Sequence, residues 1–360
     1  MDRLYAFNHS GVSFYFKQSS STFVVQEVPL YDFSGTGEHL VLHVRKKNLT
    51  TLELIEKIAK YLKIQRKEIG YAGLKDKNAL TYQYISLHKK YEKQLEGFSQ
   101  EGVKILSKTY YDNKIRMGHL KGNEFFIRLK KVNPTDGAKI TQILENIKKS
   151  GMPNFFGYQR FGNDGQNYKE GELIAKGKKS LRDVKMRKFL VSAYQSHLFN
   201  LWLSKRLEIG RLIESFDIKE LTSLLNMPKE ELKELQKQKH PFKIMRGDLM
   251  QHYPYGRVFE VEQISSEYER FLSKDISPTG LLCGKRVKVA SMSAREIEKS
   301  FDETIQADGQ RRYAWVFPQN IKGEYKPQEA WYELHFFLPK GSYATVLLEE
   351  IAKKELKEKS

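Results

Sequence analysis

A chain of 360 residues, 40% apolar and 12% aromatic, is long enough for about two domains and too apolar for intrinsic disorder. Its formal net charge of +18 is spread along the chain and favours a polyanionic partner, with DNA and RNA left open by charge alone. The single cysteine, Cys283, excludes an intrachain disulfide and a paired-cysteine metal knuckle, and the opening "MDRLYAFNHS" lacks a secretory apolar core, so a soluble, cytoplasmic protein without a membrane span is expected.

Near the N-terminus, "SSTFVVQEV" and "EHLVLHVRK" are β-rich and partly alternating, which predicts two strands. Thr50 and Glu53 have capping-box spacing ahead of "TTLELIEKIAKYLK", and Leu52, Ile55, Ala59 and Leu62 line one predicted helical face. "IGYAGLKDKNALTYQYISL" reads as a glycine-punctuated turn leading into a strand over 81–87, with Asp76 between Lys75 and Lys77 at its lip. "GNEFFIRLKKV" predicts another strand, and "DGAKITQILENIKKSG" a helix closed by Gly151. Beyond Gly162 the texture becomes helical. "VKMRKFLVSAYQSHLFNLWLSKRLEIG" predicts a long helix with Phe189, Ala193, Leu198, Leu201 and Trp202 as core contacts, and "PKEELKELQKQK" a solvated one. "RYAWVFP" and "AWYELHFFLP" return to strand character before a final helix over 343–357. The pattern implies a β-containing core built from both ends of the chain and interrupted by a helix-rich middle.

That middle opens with "KGKKSLRDVKMRK", where Lys176, Lys178, Lys179, Arg182, Lys185, Arg187 and Lys188 face one acid, Asp183, a composition suited to nucleic acid. Cofactor signatures are missing. "GELIAKGKKS" has its second glycine one place late for a phosphate loop, with Lys179 at the hydroxyl position, and no G-x-G-x-x-G follows a strand. The nine histidines fall singly, without paired ligand spacing, so His197 reads as a packing or surface residue. An enzyme of this composition works with side chains alone, without metal or cofactor. Asp76, judged alone, reads as a turn former before it reads as a functional group.

Four stretches in order carry a resemblance. "GLKDKNALTYQ" resembles the pattern G-x-K-D-[KR]-x-A-x-T-x-Q of the TruD family of tRNA pseudouridine synthases, and "KGNEF", "PNFFGYQRFG" and "LPKGSYAT" resemble further motifs of that family. The similarity runs from about residue 14 to the terminal helix. It implies isomerisation of uridine to pseudouridine, typically at position 13 of tRNA, with tRNA (and open to other RNA) as partner. It also implies an α+β fold: a pseudouridine-synthase core, 1–159 and 313–360, with a mixed, largely antiparallel sheet flanked by helices. A helix-rich inserted domain, 160–312, would face that core across a basic cleft.

The family's catalytic aspartate falls on Asp76. An aspartate of ordinary pKa is ionised at neutral pH without help from its lysine neighbours. Its oxygen can then attack carbon or take a proton, and the sequence leaves both routes open. Phe23, Asn123, Phe125 and Tyr343 match residues bordering the uridine, and Lys17 a basic residue upstream. Lys75, Lys77, Arg160, Lys178, Lys179 and Arg182 are the candidate phosphate contacts, with Lys75 and Lys77 also open to orienting Asp76 and Arg160 equally suited to internal bracing. One departure stands out: Ser20, Ser21 and Thr22 replace the family's Pro, Glu and Asp, leaving Thr22 as a turn cap. A monomer is the expected state, and a noncatalytic RNA-binding or RNA-folding protein on the same scaffold is the competing reading.

Overall fold

The computed structural model describes residues 3–162 and 164–356. The first part of the chain forms β1 (Phe23–Pro29), β2 (His39–Lys47), α1 (Thr51–Leu62), β3 (Gly70–Tyr71), β4 (Leu80–His88), α2 (Glu92–Leu95), β5 (Val103–Tyr111), β6 (Leu120–Lys130) and α3 (Pro134–Ser150). The middle forms β7 (Met152–Pro153), α4 (Asn167–Ala175), α5 (Val184–Ser215), α6 (Ile218–Leu225), α7 (Lys229–Lys237), β8 (Leu249–His252), β9 (Val258–Glu260), α8 (Ile264–Leu272), β10 (Ile276–Leu282) and α9 (Met292–Glu298). The last part adds β11 (Gln310–Tyr313), β12 (Trp315–Val316), β13 (Gln319–Lys326), β14 (Trp331–Pro339) and α10 (Ala344–Ala352).

Two compact units divide the chain. One comprises Val12–Glu145 and Pro318–Gly341, the other Met1–Gly11, Asn146–Phe317 and Ser342–Ser360. The first unit is built on an eight-stranded sheet of order β13-β14-β6-β1-β4-β2-β5, with β3 added beside β4. Among the described residues only the β1–β4 pairing in this sheet is parallel, so the expected mixed, largely antiparallel sheet is present. Alternation puts Leu40, Leu42 and Val44 of β2 on one face, where they pack with Ile85 and Leu87 of β4 and the apolar stripe of α1. That stripe is Leu54, Ile55, Ile58, Ala59 and Leu62. Leu52, expected on it, is half exposed, because it lies roughly a quarter turn from the stripe's centre in the first helical turn.

The predicted start of α1 forms as read: Glu53 N–H donates to Thr50 Oγ1 at 3.1 Å and Thr50 N–H to Glu53 Oε2 at 2.6 Å. Strand β5 and strand β13 were not expected. In "VKILSKTYY" the alternation is interrupted by Ser107 and Lys108, and β13 carries Asn320, Lys322 and Glu324 with little apolar signal.

The second unit holds the long helix α5, 32 residues from its Asp183 cap, which accepts from the N–H groups of Lys185 and Met186. Ala193, Leu198 and Trp202 are buried as expected. Phe189 is 40% exposed and is corrected to a surface position, immediately ahead of the buried stretch that begins at Leu190. The unit also contains a four-stranded sheet, β11-β10-β8-β9, that the helical texture of the middle segment did not reveal. Its strands are short, and β10 carries Pro278 and Gly280 in a wholly buried run. Gly280 fits beneath Trp202, whose ring lies 2.3 Å from where a Cβ would stand. The final helix spans Ala344–Ala352, and Lys357, in its expected range, lies outside the described residues.

Candidate active site

Residues 72–79 link β3 to β4, and Asp76 stands in this turn against the start of α1. The side chains of Thr51 and Lys46 fix the turn's backbone, and a buried ion pair anchors Lys75. The buried Thr51 hydroxyl accepts from Lys75 N–H at 2.8 Å and donates to Gln83 Oε1 at 2.9 Å. Lys75 Nζ runs inward to Glu27 Oε2 on β1 at 2.6 Å, the two side chains 5% and 1% exposed. Gly73 leaves room for that ammonium, since a Cβ there would stand 3.1 Å from Lys75 Nζ. Lys46, fully buried at the end of β2, donates to the carbonyls of Leu49 at 2.6 Å, Asp76 at 3.2 Å and Lys75 at 3.4 Å.

The Asp76 side chain remains open to solvent. The protein around it desolvates the carboxyl and raises it above the usual aspartate range, an effect opposed by the charges of Lys46 and then Lys75. The two lysine charges favour the carboxylate over its protonated form. Lys77 is exposed and lies 3.5 Å from Glu53.

Sheet register brings the other candidates of this unit to the same face. Phe125 on β6 is opposite Val25 on β1, Asn123 is opposite Glu27, and Phe23 is opposite Ile127. Phe23 and Phe125 have ring centroids 6.0 Å apart, and Phe125 lies 5.4 Å from Phe336 on β14. Both candidate rings are buried. Asn123 Oδ1 is buried without a hydrogen-bond partner among the described residues, as are Thr81 Oγ1 and Gln83 Nε2 on β4. Unpaired buried polar atoms are costly, so together they mark a place for water or for the polar edge of a bound molecule. Lys17 is exposed, and its carbonyl accepts from Thr22 Oγ1 at 2.6 Å. Thr22 thus closes the serine-rich turn ahead of Phe23.

Lys75 requires a correction. Its ammonium is committed to Glu27 inside the protein and is not on offer to a phosphate. The residues sequence reading missed are Lys46 and Glu27. Both had a signal: each is a charged residue at an inward position of an alternating strand, after Leu40, Leu42 and Val44 in one case and after Phe23 and Val25 in the other.

Tyr343 and Arg160 belong to the other unit. Tyr343 caps α10, its ring 6.1 Å from that of Phe156. Phe156 is held by Asn200 through both its N–H, at 2.9 Å, and its carbonyl, at 3.0 Å, with the Arg312 guanidinium 3.8 Å above its ring. Arg160 donates to the hydroxyls of Ser192 and Ser196, and its guanidinium lies 5.5 Å from the Phe189 ring. Burial lowers its pKa from the usual arginine value, and no carboxylate pairs with it among the described residues. In the basic run Lys179 pairs with Glu170 at 3.2 Å, while Lys178 and Arg182 are exposed. His197 is a packing residue, stacked 3.8 Å from Tyr168 and lowered by burial to about 4. Among the described residues no cluster of three His, Cys, Asp or Glu could hold a metal ion, and no helix is long and apolar enough to cross a membrane.

A family model described as tRNA pseudouridine synthase D (TruD) matches residues 2–181 and 175–351. The chain belongs to this TruD family. It is 63% identical over 356 residues to tRNA pseudouridine synthase D of Sulfurimonas denitrificans, covering 99% of this chain and all of that one. Identity to the Nitratiruptor protein of the same name is 57%, covering 99% of each chain. To that of Helicobacter pylori strain Shi470 it is 48%, with 98% of this chain and 96% of the relative covered. The crystal structure of a putative tRNA pseudouridine synthase D from Methanosarcina mazei superposes with a TM-score of 0.68 at 21% identity, covering 98% and 96% of the two chains. That likeness establishes the TruD fold for this chain.

Proposed function

We propose that this chain isomerises uridine to pseudouridine in tRNA, at position 13, with Asp76 as the catalytic carboxylate. The reaction breaks N1–C1′ and forms C5–C1′, while C5 gives up a proton and N1 gains one, so it needs neither oxidant nor group donor. The observation that carries the reading is a solvent-accessible carboxylate on a turn pinned by Lys46 and Lys75, within one sheet face of unpaired polar atoms that suit a base edge. The carboxylate oxygen is available to attack carbon or to take the C5 proton. An extruded pyrimidine costs a few kcal/mol to unstack, and an aromatic contact returns about 1–3 kcal/mol. Phe23, Phe125 and Tyr343 are assigned to that role, and Asn123 to the uracil edge.

Lys17, Lys77, Arg160, Lys178, Lys179 and Arg182 are assigned to the RNA backbone. Residues 160–312 are assigned as the inserted domain, and the protein is assigned as a cytoplasmic monomer. The test is Asp76→Asn assayed for tritium release from 5-tritiated uridine in tRNA, beside tRNA affinity by filter binding. Retained affinity with lost release supports the assignment, and equal release by variant and wild type removes Asp76 from the chemistry. Mapping pseudouridine in cellular RNA with and without the protein then decides which RNAs are modified.

A further inference from the structure

Lys46 is unusual among the cations of this protein. It is 0% exposed, yet among the described residues no carboxylate lies within ion-pair distance of it. Its Nζ has three N–H groups and three recorded acceptors, all main-chain carbonyls: Leu49, Lys75 and Asp76. Burying an ammonium this way is costly unless nearby negative potential offsets it. Two of the three carbonyls belong to Asp76 and to the residue before it. A methionine of similar length fills the same space with no donor, so packing alone does not call for a lysine here.

We propose that Lys46 is the positioning residue for Asp76: its ammonium fixes the main chain on both sides of the aspartate Cα and supplies the positive charge that keeps the carboxylate ionised. This rests on the assignment of Asp76 as catalytic.

The charged groups around the pair are few. Asp76, Lys75 and Lys77 stand in the turn, Glu53, the partner of Lys77, at the start of α1, and Glu27 on β1 engages Lys75; β4 contributes Thr81 opposite Lys46. Desolvation brings Lys46 down to about 8, Asp76 and Glu53 oppose the fall, and Lys75 adds to it. Lys46 therefore discharges just above neutral pH. Activity falls there, because the carbonyls lose a donor and Asp76 loses a counter-charge.

Stability moves the other way. Between about 8 and the ordinary lysine value the unfolded chain holds a proton that the folded one has released, so this group's contribution to stability rises with pH. Activity that falls while stability rises is a signature a purely structural lysine does not give.

The experiment measures single-turnover tritium release from 5-tritiated uridine tRNA, with enzyme in excess, from pH 5 to 10 for wild type, Lys46→Met, Lys46→Arg and Asp76→Asn. Thermal unfolding is followed at each pH, and the Asp76 carboxyl is titrated by carbon NMR with 13C-labelled aspartate. Expected are an alkaline limb near pH 8 in wild type and a limb displaced upward in Lys46→Arg. In Lys46→Met the rate falls about ten- to a hundredfold at pH 7, with tRNA affinity within about twofold of wild type. The Asp76 carboxyl then titrates at higher pH than in wild type. Wild-type rate and an unmoved Asp76 titration in Lys46→Met overturn the proposal. So does an alkaline limb in wild type that tracks loss of the fold, a result that still decides the matter when Lys46→Met does not fold. Full activity in Asp76→Asn overturns the catalytic assignment itself, which separates the two failures.

Discussion

Replacing Glu27 by Gln tests whether the turn is held from beneath. The Lys75–Glu27 pair is 2.6 Å long with side chains 5% and 1% exposed, and the other Glu27 oxygen accepts the Tyr84 N–H at 3.3 Å. Glutamine preserves shape and an acceptor, so what is lost is the charge opposite a buried ammonium. Breaking such a pair from one side costs ~3–5 kcal/mol, because the remaining charge stays desolvated. For a chain of this size that corresponds to a fall in Tm of roughly 4–7 °C. The double variant Glu27→Gln/Lys75→Met removes the orphaned charge and is expected to regain more than half of the loss. Urea unfolding gives the stability of all three proteins, and tritium release from labelled tRNA gives the rate. In the single variant Lys75 pulls away and takes the neighbouring aspartate with it, so the rate falls as well. A Glu27→Gln protein within ~1 kcal/mol of wild type and equally fast would refute the reasoning.

Gly73→Ala puts a methyl 3.1 Å from Lys75 Nζ and is expected to cost about 1 kcal/mol with a several-fold slower tritium release, read on the same preparations. Asn123→Ala removes an oxygen that no described group satisfies, so its urea midpoint should stay near wild type while the KM for tRNA rises about tenfold. Gly151 ends α3 at φ +77° with Trp315 Nε1 and Val316 O each 2.6 Å from a Cβ position, so Gly151→Ala should lower stability by ~2 kcal/mol or more in calorimetry. His240, buried between Phe271 and Trp315, is lowered by burial to about 4. Its neutral form dominates the folded state while the unfolded chain takes up a proton below about 6.5. Stability is therefore full above pH 6.5 and declines as pH falls toward 4, by about 1.4 kcal/mol per unit from this group, and His240→Gln should flatten that slope in urea titrations.

Much of this was readable from residue order. The Thr50–Glu53 box, the Asp183-capped helix and the Gly151 stop are local devices whose partners lie within a few residues, so sequence spacing specifies them. Alternation also located β1, β2, β4 and β6. What escaped depended on distant partners. Strand β13 is held by pairing to β14, and β10 is buried on both faces by elements far along the chain, so neither shows a two-residue period. Phe189 and Leu52 carry apolar side chains on helix faces that stay partly exposed. In the candidate site, Asp76 was legible as a motif residue, whereas the inward course of Lys75 was not, because its partner is 48 positions earlier. Lys46 could have been flagged from β2 alone, as the one charge on the strand's buried face.

The order of strands in the large sheet has a consequence for how the chain is made. Strand β6 lies between β1 and β14, so its second edge stays bare until Trp331–Pro339 have been made. A bare edge with apolar neighbours is a template for pairing with other chains. Translation that stops before Trp331 therefore leaves β6 as an uncovered edge of the sheet. Such a fragment should be cleared or precipitate rather than linger as a half-active enzyme.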